Sequence, residues 1–150
     1  MSAAAPQAPG DVTPPQPVRL LVVDDDPDVI ELTELVYHGA TLAGRPVECA
    51  FARSAEEAVA LLEGACFDLG IIDVVMRTDH EGLELVRWIR AQPRHRGMAI
   101  VLRTGQVGIA PAEFAFAEAE IDAYWSKTEL TAAIMHRGAE RLLLDRPGRT

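Results

Sequence analysis

No run of lysines or arginines occurs anywhere in this chain. Its 14 basic residues stand against 23 acidic ones, for a formal net charge of −9 and a pI near 4.8. Contacts to a phosphate backbone need clustered Lys and Arg, so the balance argues against a nucleic-acid partner. Long apolar runs are missing as well. Nothing approaches the roughly 20 residues that a membrane-spanning helix requires, and a soluble, cytoplasmic protein is expected. Cysteine is scarce: Cys49 and Cys66 match neither a metal-binding spacing nor a secreted disulfide framework, and the expectation is two buried, reduced thiols. His38, His80, His95 and His136 form no zinc spacing and are expected at solvated surface positions. The opening stretch, Met1 to Pro17, is rich in Ala and Pro and lacks the basic n-region and apolar h-region of a signal peptide. It reads as a disordered tail, and the polar segment Asp145 to Thr150, with its Pro and Gly, reads as a C-terminal tail ending the last helix. There is no internal repeat.

What is present is alternation. At 150 residues and 49% hydrophobic content, the chain suits one domain with a single core, placed over residues 18–144. Val18 to Val23 predicts a strand. Asp26 then offers an N-cap and Pro27 a first helical residue, before Val29, Leu32, Leu35 and Val36 at helical spacing. Gly44-Arg45-Pro46 breaks the chain, Val47 to Phe51 predicts a second strand, and Ser54-x-x-Glu57 is a capping box for a helix closed by Gly64. Leu69 to Ile72 predicts strand three, Gly82 to Ala91 helix three, and Ala99 to Leu102 strand four. Pro111 opens a fourth helix, Ile121 to Trp125 predicts strand five, and Thr128 is a cap for a last helix carrying Leu130, Ile134 and Leu142. The expected architecture is α/β: five βα units, a doubly wound parallel sheet of five strands in the flavodoxin-like order 2-1-3-4-5, with helices on both faces.

Open sheets of this kind carry their chemistry outside the carboxyl ends of the strands. Those ends bear Asp24 and Asp25 (first strand), Asp73 (third), Thr104 (fourth) and Lys127 (fifth). Crowded carboxylates repel unless a cation neutralises them, and Mg²⁺ with oxygen ligands is the simplest remedy. One acid can then act as an oxygen nucleophile, the hydroxyl can donate to a phosphoryl oxygen, and the ammonium can neutralise developing charge. The set suits phosphoryl transfer, which asks for positioning and electrostatics more than covalent help. Each residue alone has a plainer role: a solvated turn and helix cap for Asp24 to Asp26, a turn for Thr104-Gly105, a surface charge for Lys127. Separate turns have no reason to place these types at four strand ends.

On these residues the chain, from Val18 to about Leu144, resembles the receiver domain of bacterial two-component response regulators. The resemblance implies an acidic pair at Asp24-Asp25, a phosphoacceptor at Asp73 within Ile71-Ile72-Asp73-Val74-Val75-Met76, a switch hydroxyl at Thr104 and a lysine at Lys127. It implies Mg²⁺ held directly by Asp25, Asp73 and the backbone carbonyl of Val75, with Asp24 acting through water. It further implies that a histidine kinase or phosphotransfer protein supplies the phosphoryl group, that the domain promotes its own phosphorylation, and that Tyr124 turns inward when Thr104 moves. The readout would be a partner-binding face built from the fourth and fifth helices and the fifth strand, engaging an output protein or a second copy of the chain. Phe114, Phe116 and Trp125 lie along that face or, on the plainer reading, pack in the core.

Three departures from the family pattern stand out. Arg77 replaces the usual proline and the loop to Gly82 is one residue longer; Thr128 replaces the proline that commonly follows the lysine, so no cis bond is expected there; and apolar Val75 implies slow self-dephosphorylation. Leu102-Arg103-Thr104-Gly105-Gln106 and Lys127-Thr128-Glu129-Leu130 look like a subgroup often joined to HD-GYP phosphodiesterase domains, although no His-Asp motif occurs here. The alternatives are a haloacid-dehalogenase-like phosphatase, for which Asp24-x-Asp26 fits the first motif but no late acidic pair is found, and a flavodoxin-like cofactor binder, whose phosphate would meet three carboxylates.

Overall fold

A computed structural model describes residues 14–74, 81–104, 121–127 and 130–145, and of Thr104 the backbone only. The elements run β1 (Val18–Val23), α1 (Pro27–Tyr37), β2 (Thr41–Leu42), β3 (Arg45–Ala52), α2 (Ala55–Gly64), β4 (Leu69–Asp73), α3 (Glu81–Ala91), β5 (Ala99–Thr104), β6 (Ala123–Ser126) and α4 (Ala132–Leu144), with a 3₁₀ turn at Pro93–His95. The helix expected from Pro111 lies outside the described residues.

The sheet order is β2-β3-β1-β4-β5-β6. Strands β3, β1, β4, β5 and β6 are mutually parallel and form the expected 2-1-3-4-5 arrangement. The addition is β2, an antiparallel edge piece paired through Thr41↔Pro46 and Leu42↔Arg45. Its turn places Ala43 at φ 52° and Gly44 at φ 78°, the double left-handed conformation of a tight hairpin. Ala43 pays a small steric penalty there, offset by its N–H, which donates to Glu140 Oε2 at 2.8 Å. The Gly-Arg-Pro break was thus a hairpin, and β3 begins at Arg45, two residues earlier than expected.

Strand β1 is buried on both faces except at Arg19. Leu21, Val23, Ile72, Ile100 and Leu102 pack under α2 and α3, while Leu20, Val22, Ile71 and Val101 pack under α1 and α4. Full burial of each such aliphatic side chain contributes about 1.5–3 kcal/mol, and this two-sided core is why the strands read as unbroken apolar runs.

The caps follow the sequence with one exception. Asp26 accepts from the N–H of Asp28 at the start of α1, and Ser54 accepts from Glu57 N–H, the first half of a capping box, while Glu57 Oε1 reaches back one residue further to accept from Arg53 N–H. The last helix is capped by Thr131, whose hydroxyl accepts from Ile134 N–H; Thr128 lies outside the described residues, and Leu130 precedes the helix. Two surface expectations are corrected. Cys49 is only half-buried and Cys66 is exposed, both free, because Cys66 sits past the end of α2 before the chain enters β4. His95 is buried at 2% exposure: the 3₁₀ turn folds it inward, where Nε2 lies 2.9 Å from Leu62 O and its ring is 6.3 Å from that of Trp88. No helix among the described residues is long and apolar enough to cross a membrane.

Candidate functional site at the strand ends

In-register pairing brings the carboxyl ends of the strands to one rim. Val23 lies opposite both Ala52 and Ile72, Asp73 opposite Arg103, and Thr104 opposite Ser126. Residues that leave the sheet at those ends must meet, whatever their separation in sequence. Asp24 stays tied to the ladder through its N–H, which donates to Ala52 O at 3.0 Å, and its side chain is fully buried. Asp73 is 4% exposed and Asp25 is open to solvent.

The three consecutive aspartates divide their work. Asp26 caps α1; Asp24 Oδ1 accepts from Asp26 N–H at 2.9 Å, which fixes the turn; Asp25 faces outward. Asp24, Asp25 and Asp73 each bring a carboxylate oxygen within 4.8 Å of the others. Lys127, the sole lysine in the chain, bridges two of them, with Nζ 3.0 Å from Asp24 Oδ2 and 3.4 Å from Asp73 Oδ2.

The glycine that opens α3 fixes Asp73 from the other side. Gly82 N–H donates to Val74 O at 3.1 Å, and a Cβ at Gly82 would stand 2.0 Å from Asp73 O. The helix therefore abuts the end of β4 backbone to backbone, which only a residue without a side chain permits. Beside it, Glu81 Oε2 accepts from Ala55 N–H at 2.9 Å, joining the start of α3 to the start of α2, where a carboxylate is favoured by the helix dipole.

One participant escaped the sequence reading. Arg103 is 2% exposed, its Nη2 lies 3.7 Å from Asp24 Oδ2, and its Nη1 donates to Thr33 Oγ1 on α1 at 3.0 Å. Burial lowers its pKa, against the opposing pull of Asp24, Tyr37 and Asp73. The signal was available: a charged residue in a strand covered on both faces needs a buried partner, and Asp24 lies on the same face.

The donor set fits a hard divalent cation. Three carboxylates against two cationic side chains leave one net negative charge, and Asp24 Oδ2, although near both cations, makes no aligned hydrogen bond. Oxygen-only ligands at such spacing are what Mg²⁺ takes. Of the remaining expected residues, Thr104 closes β5 beside Ser126, Val75 lies outside the described residues, and Tyr124 is 47% exposed on β6, its hydroxyl pKa raised by partial burial. Phe114 and Phe116 lie outside the described residues, whereas Trp125 is a core side chain packed against Gly138. The late acidic pair of the phosphatase reading has no counterpart at the end of β5, where Arg103 and Thr104 stand.

Comparison with known proteins agrees with this geometry. Residues 20–137 match the response regulator receiver domain. The chain is 43% identical over 117 residues to the 3'3'-cGAMP-specific phosphodiesterase 2 of Vibrio cholerae, a match covering 77% of this chain but 22% of that protein. It is 33% identical over 92 residues to the response regulator protein PilR of Pseudomonas aeruginosa, covering 61% of this chain and 19% of that one. The chain thus spans about a fifth of the length of each of these relatives. In fold it is similar to the receiver domain of an HD domain-containing protein from Pseudomonas fluorescens (TM-score 0.74, 23% identity, 93% of this chain and 96% of that one). It is equally similar to a CheY-like receiver domain from Methanospirillum hungatei (TM-score 0.74, 24% identity, 90% of this chain and 100% of that one). A parallel sheet that gathers two acids, a third acid and a lysine at one rim, together with a match along most of its length, identifies the chain as a member of the response regulator receiver domain family.

Proposed function

We propose that this chain is the phosphoacceptor of a two-component phosphorelay, with Asp73 as the residue modified. The observation that carries the reading is the Lys127 bridge: one ammonium contacts both Asp24 and Asp73 across the ends of three different strands. An Asp73 carboxylate oxygen attacks the phosphorus of a phosphohistidine on a histidine kinase or phosphotransfer protein. The new O–P bond makes an acyl phosphate, the P–N bond breaks, and the departing imidazole nitrogen takes up a proton. Lys127 can follow the charge from the carboxylate onto a phosphoryl oxygen and offset the negative charge that accumulates.

Asp24, Asp25 and Asp73, with the Val75 carbonyl by family pattern, would hold Mg²⁺, which when bound supplies charge neutralisation for the phosphoryl oxygens. These residues act on the chain's own Asp73, so the domain promotes its own modification and turns over no separate substrate. The Thr104 hydroxyl donates to the added phosphoryl oxygen, and its displacement gives Tyr124 room to turn in from its exposed position on β6. The altered surface then engages an output protein in the cytoplasm, or a second copy of the chain. Nucleic acid is not a partner, given the net charge of −9.

The test is intact-mass spectrometry after incubation with acetyl phosphate and Mg²⁺. One phosphoryl adduct is expected on the native chain and none on Asp73→Asn. An adduct that survives this substitution removes the assignment.

A further inference from the structure

Arg103 presents a buried charge that phosphoryl transfer by Asp73 and Lys127 does not itself require. Its guanidinium is nearly inaccessible, and among the described residues neither Nε nor Nη2 has a hydrogen-bond partner. A buried cation in this condition is costly unless a specific charge answers it. The cleft beside it, between α1 and α4, is walled by Val29, Leu32, Val36, Leu130 and Met135 and offers no acid. The Asp24 carboxylate, whose Oδ2 lies 3.7 Å from Nη2, is its answering charge. Asp24 is also one of the three acids that could hold a divalent ion, and its Oδ2 too lacks an aligned hydrogen bond.

We infer that Arg103 is a resident counter-cation of the acid cluster, a positioning residue that competes with the divalent ion for Asp24 and thereby weakens ion binding. Its hydrogen bond to Thr33 Oγ1 anchors the guanidinium to α1, and Thr33 Oγ1 in turn donates to Val29 O at 2.7 Å, so the anchor is itself held. The guanidinium cannot leave with the solvent when an ion arrives. It stays beneath Asp24, and its repulsion for a dication in low-dielectric surroundings acts on every binding event. The ion site is thereby kept from being saturated by adventitious divalent metal, and the apo cluster is kept from repelling itself apart. This inference rests on the reading of the cluster as a divalent-ion site.

The experiment is calorimetric titration of Mg²⁺ into the whole native chain, Arg103→Gln and Arg103→Lys. Removing the charge should tighten the Mg²⁺ dissociation constant by about tenfold in Arg103→Gln, whereas Arg103→Lys, which retains a cation, should stay near the native value. A purely structural role would weaken binding in both variants, and that result, or equal affinity in all three proteins, overturns the inference. Should Arg103→Gln fail to fold by circular dichroism, the native chain still decides. The Arg103 Nε–H resonance should move as Mg²⁺ saturates the site, and a resonance indifferent to Mg²⁺ refutes competition. Absence of Mg²⁺ binding to the native chain would defeat the cluster reading itself along with this inference; binding that ignores Arg103 would defeat the inference alone.

Discussion

Substituting Gly82 by alanine places a methyl group where the backbone of β4 already lies. The added Cβ would sit 2.0 Å from Asp73 O, 2.8 Å from Val74 Cα and 2.9 Å from Asp73 C. All three are main-chain atoms in or just after a central strand, so no flexible side chain can give way; the start of α3 must move off the sheet. Overpacking of this kind costs about 3 kcal/mol, which for a domain of this size lowers the melting temperature by about 6–12 °C. The internal control is Gly64→Ala at the last residue of α2, where a Cβ meets nothing within 4 Å and neither glycine has a positive φ. There the lost chain entropy of glycine is recovered, a gain of about 0.5–1 kcal/mol. Urea unfolding followed by far-ultraviolet circular dichroism should therefore move the two midpoints in opposite directions. Displacing α3 also shifts the Asp73 backbone relative to Lys127, so Gly82→Ala should lose phosphoryl uptake from acetyl phosphate faster than its folded fraction falls. A Gly82→Ala protein as stable and as readily labelled as the native chain would refute the claim that backbone contact between α3 and β4 fixes the acceptor.

Four further outcomes follow from the same contacts. Lys127→Gln should slow labelling of Asp73 by about a hundredfold in a quenched-flow or timed mass assay, and native rates would exclude its role in charge transfer. Tyr37→Phe removes a fully buried hydroxyl that donates to Met135 O at 3.0 Å; it should cost about 1–2 kcal/mol in urea and leave labelling intact, since α1 and α4 remain packed. Burial lowers the His95 pKa, so below about pH 6.5, the unfolded value, the unfolded chain binds the proton that the folded chain refuses. Stability is therefore expected to fall as the pH drops through that region, by up to about 1.4 kcal/mol per pH unit, and the slope should flatten in His95→Gln; equal slopes would contradict it. The apolar Val75 predicts an acyl phosphate that persists for minutes or longer at neutral pH, and decay within seconds would argue that another group orients the attacking water.

Much of this architecture is readable from residue order because the central strands β1 and β4 are buried on both faces, Arg19 apart, and α1, α2 and α4 each start on a side-chain cap. The run Leu20 to Val23, the Asp26-Pro27 start and the Ser54-x-x-Glu57 box are local signals whose partners lie within four residues. Features set by distant contacts were less visible. The two-residue strand β2 depends on Glu140, far along the chain, to hold the turn at Ala43. His95 is drawn inward by Leu62 O, a partner no spacing rule reveals. The choice between Thr128 and Thr131 as a cap turns on where the chain leaves β6. At the site itself, strand-end placement located Asp24, Asp25, Asp73 and Lys127, because parallel register forces those ends together. Arg103 was passed over because its role is carried by its face of β5, shared with Asp24 and Thr33 across 70 residues, not by its neighbours in sequence.

The most direct measurement locates the modified residue chemically. After exposure to acetyl phosphate and Mg²⁺, borohydride reduction converts an aspartyl phosphate to homoserine, and peptide sequencing by mass spectrometry reads its position. Homoserine at position 73 alone, and only when a divalent cation is present, is the predicted result; homoserine at position 24 or 25, or none at all in protein that binds Mg²⁺, would contradict the account.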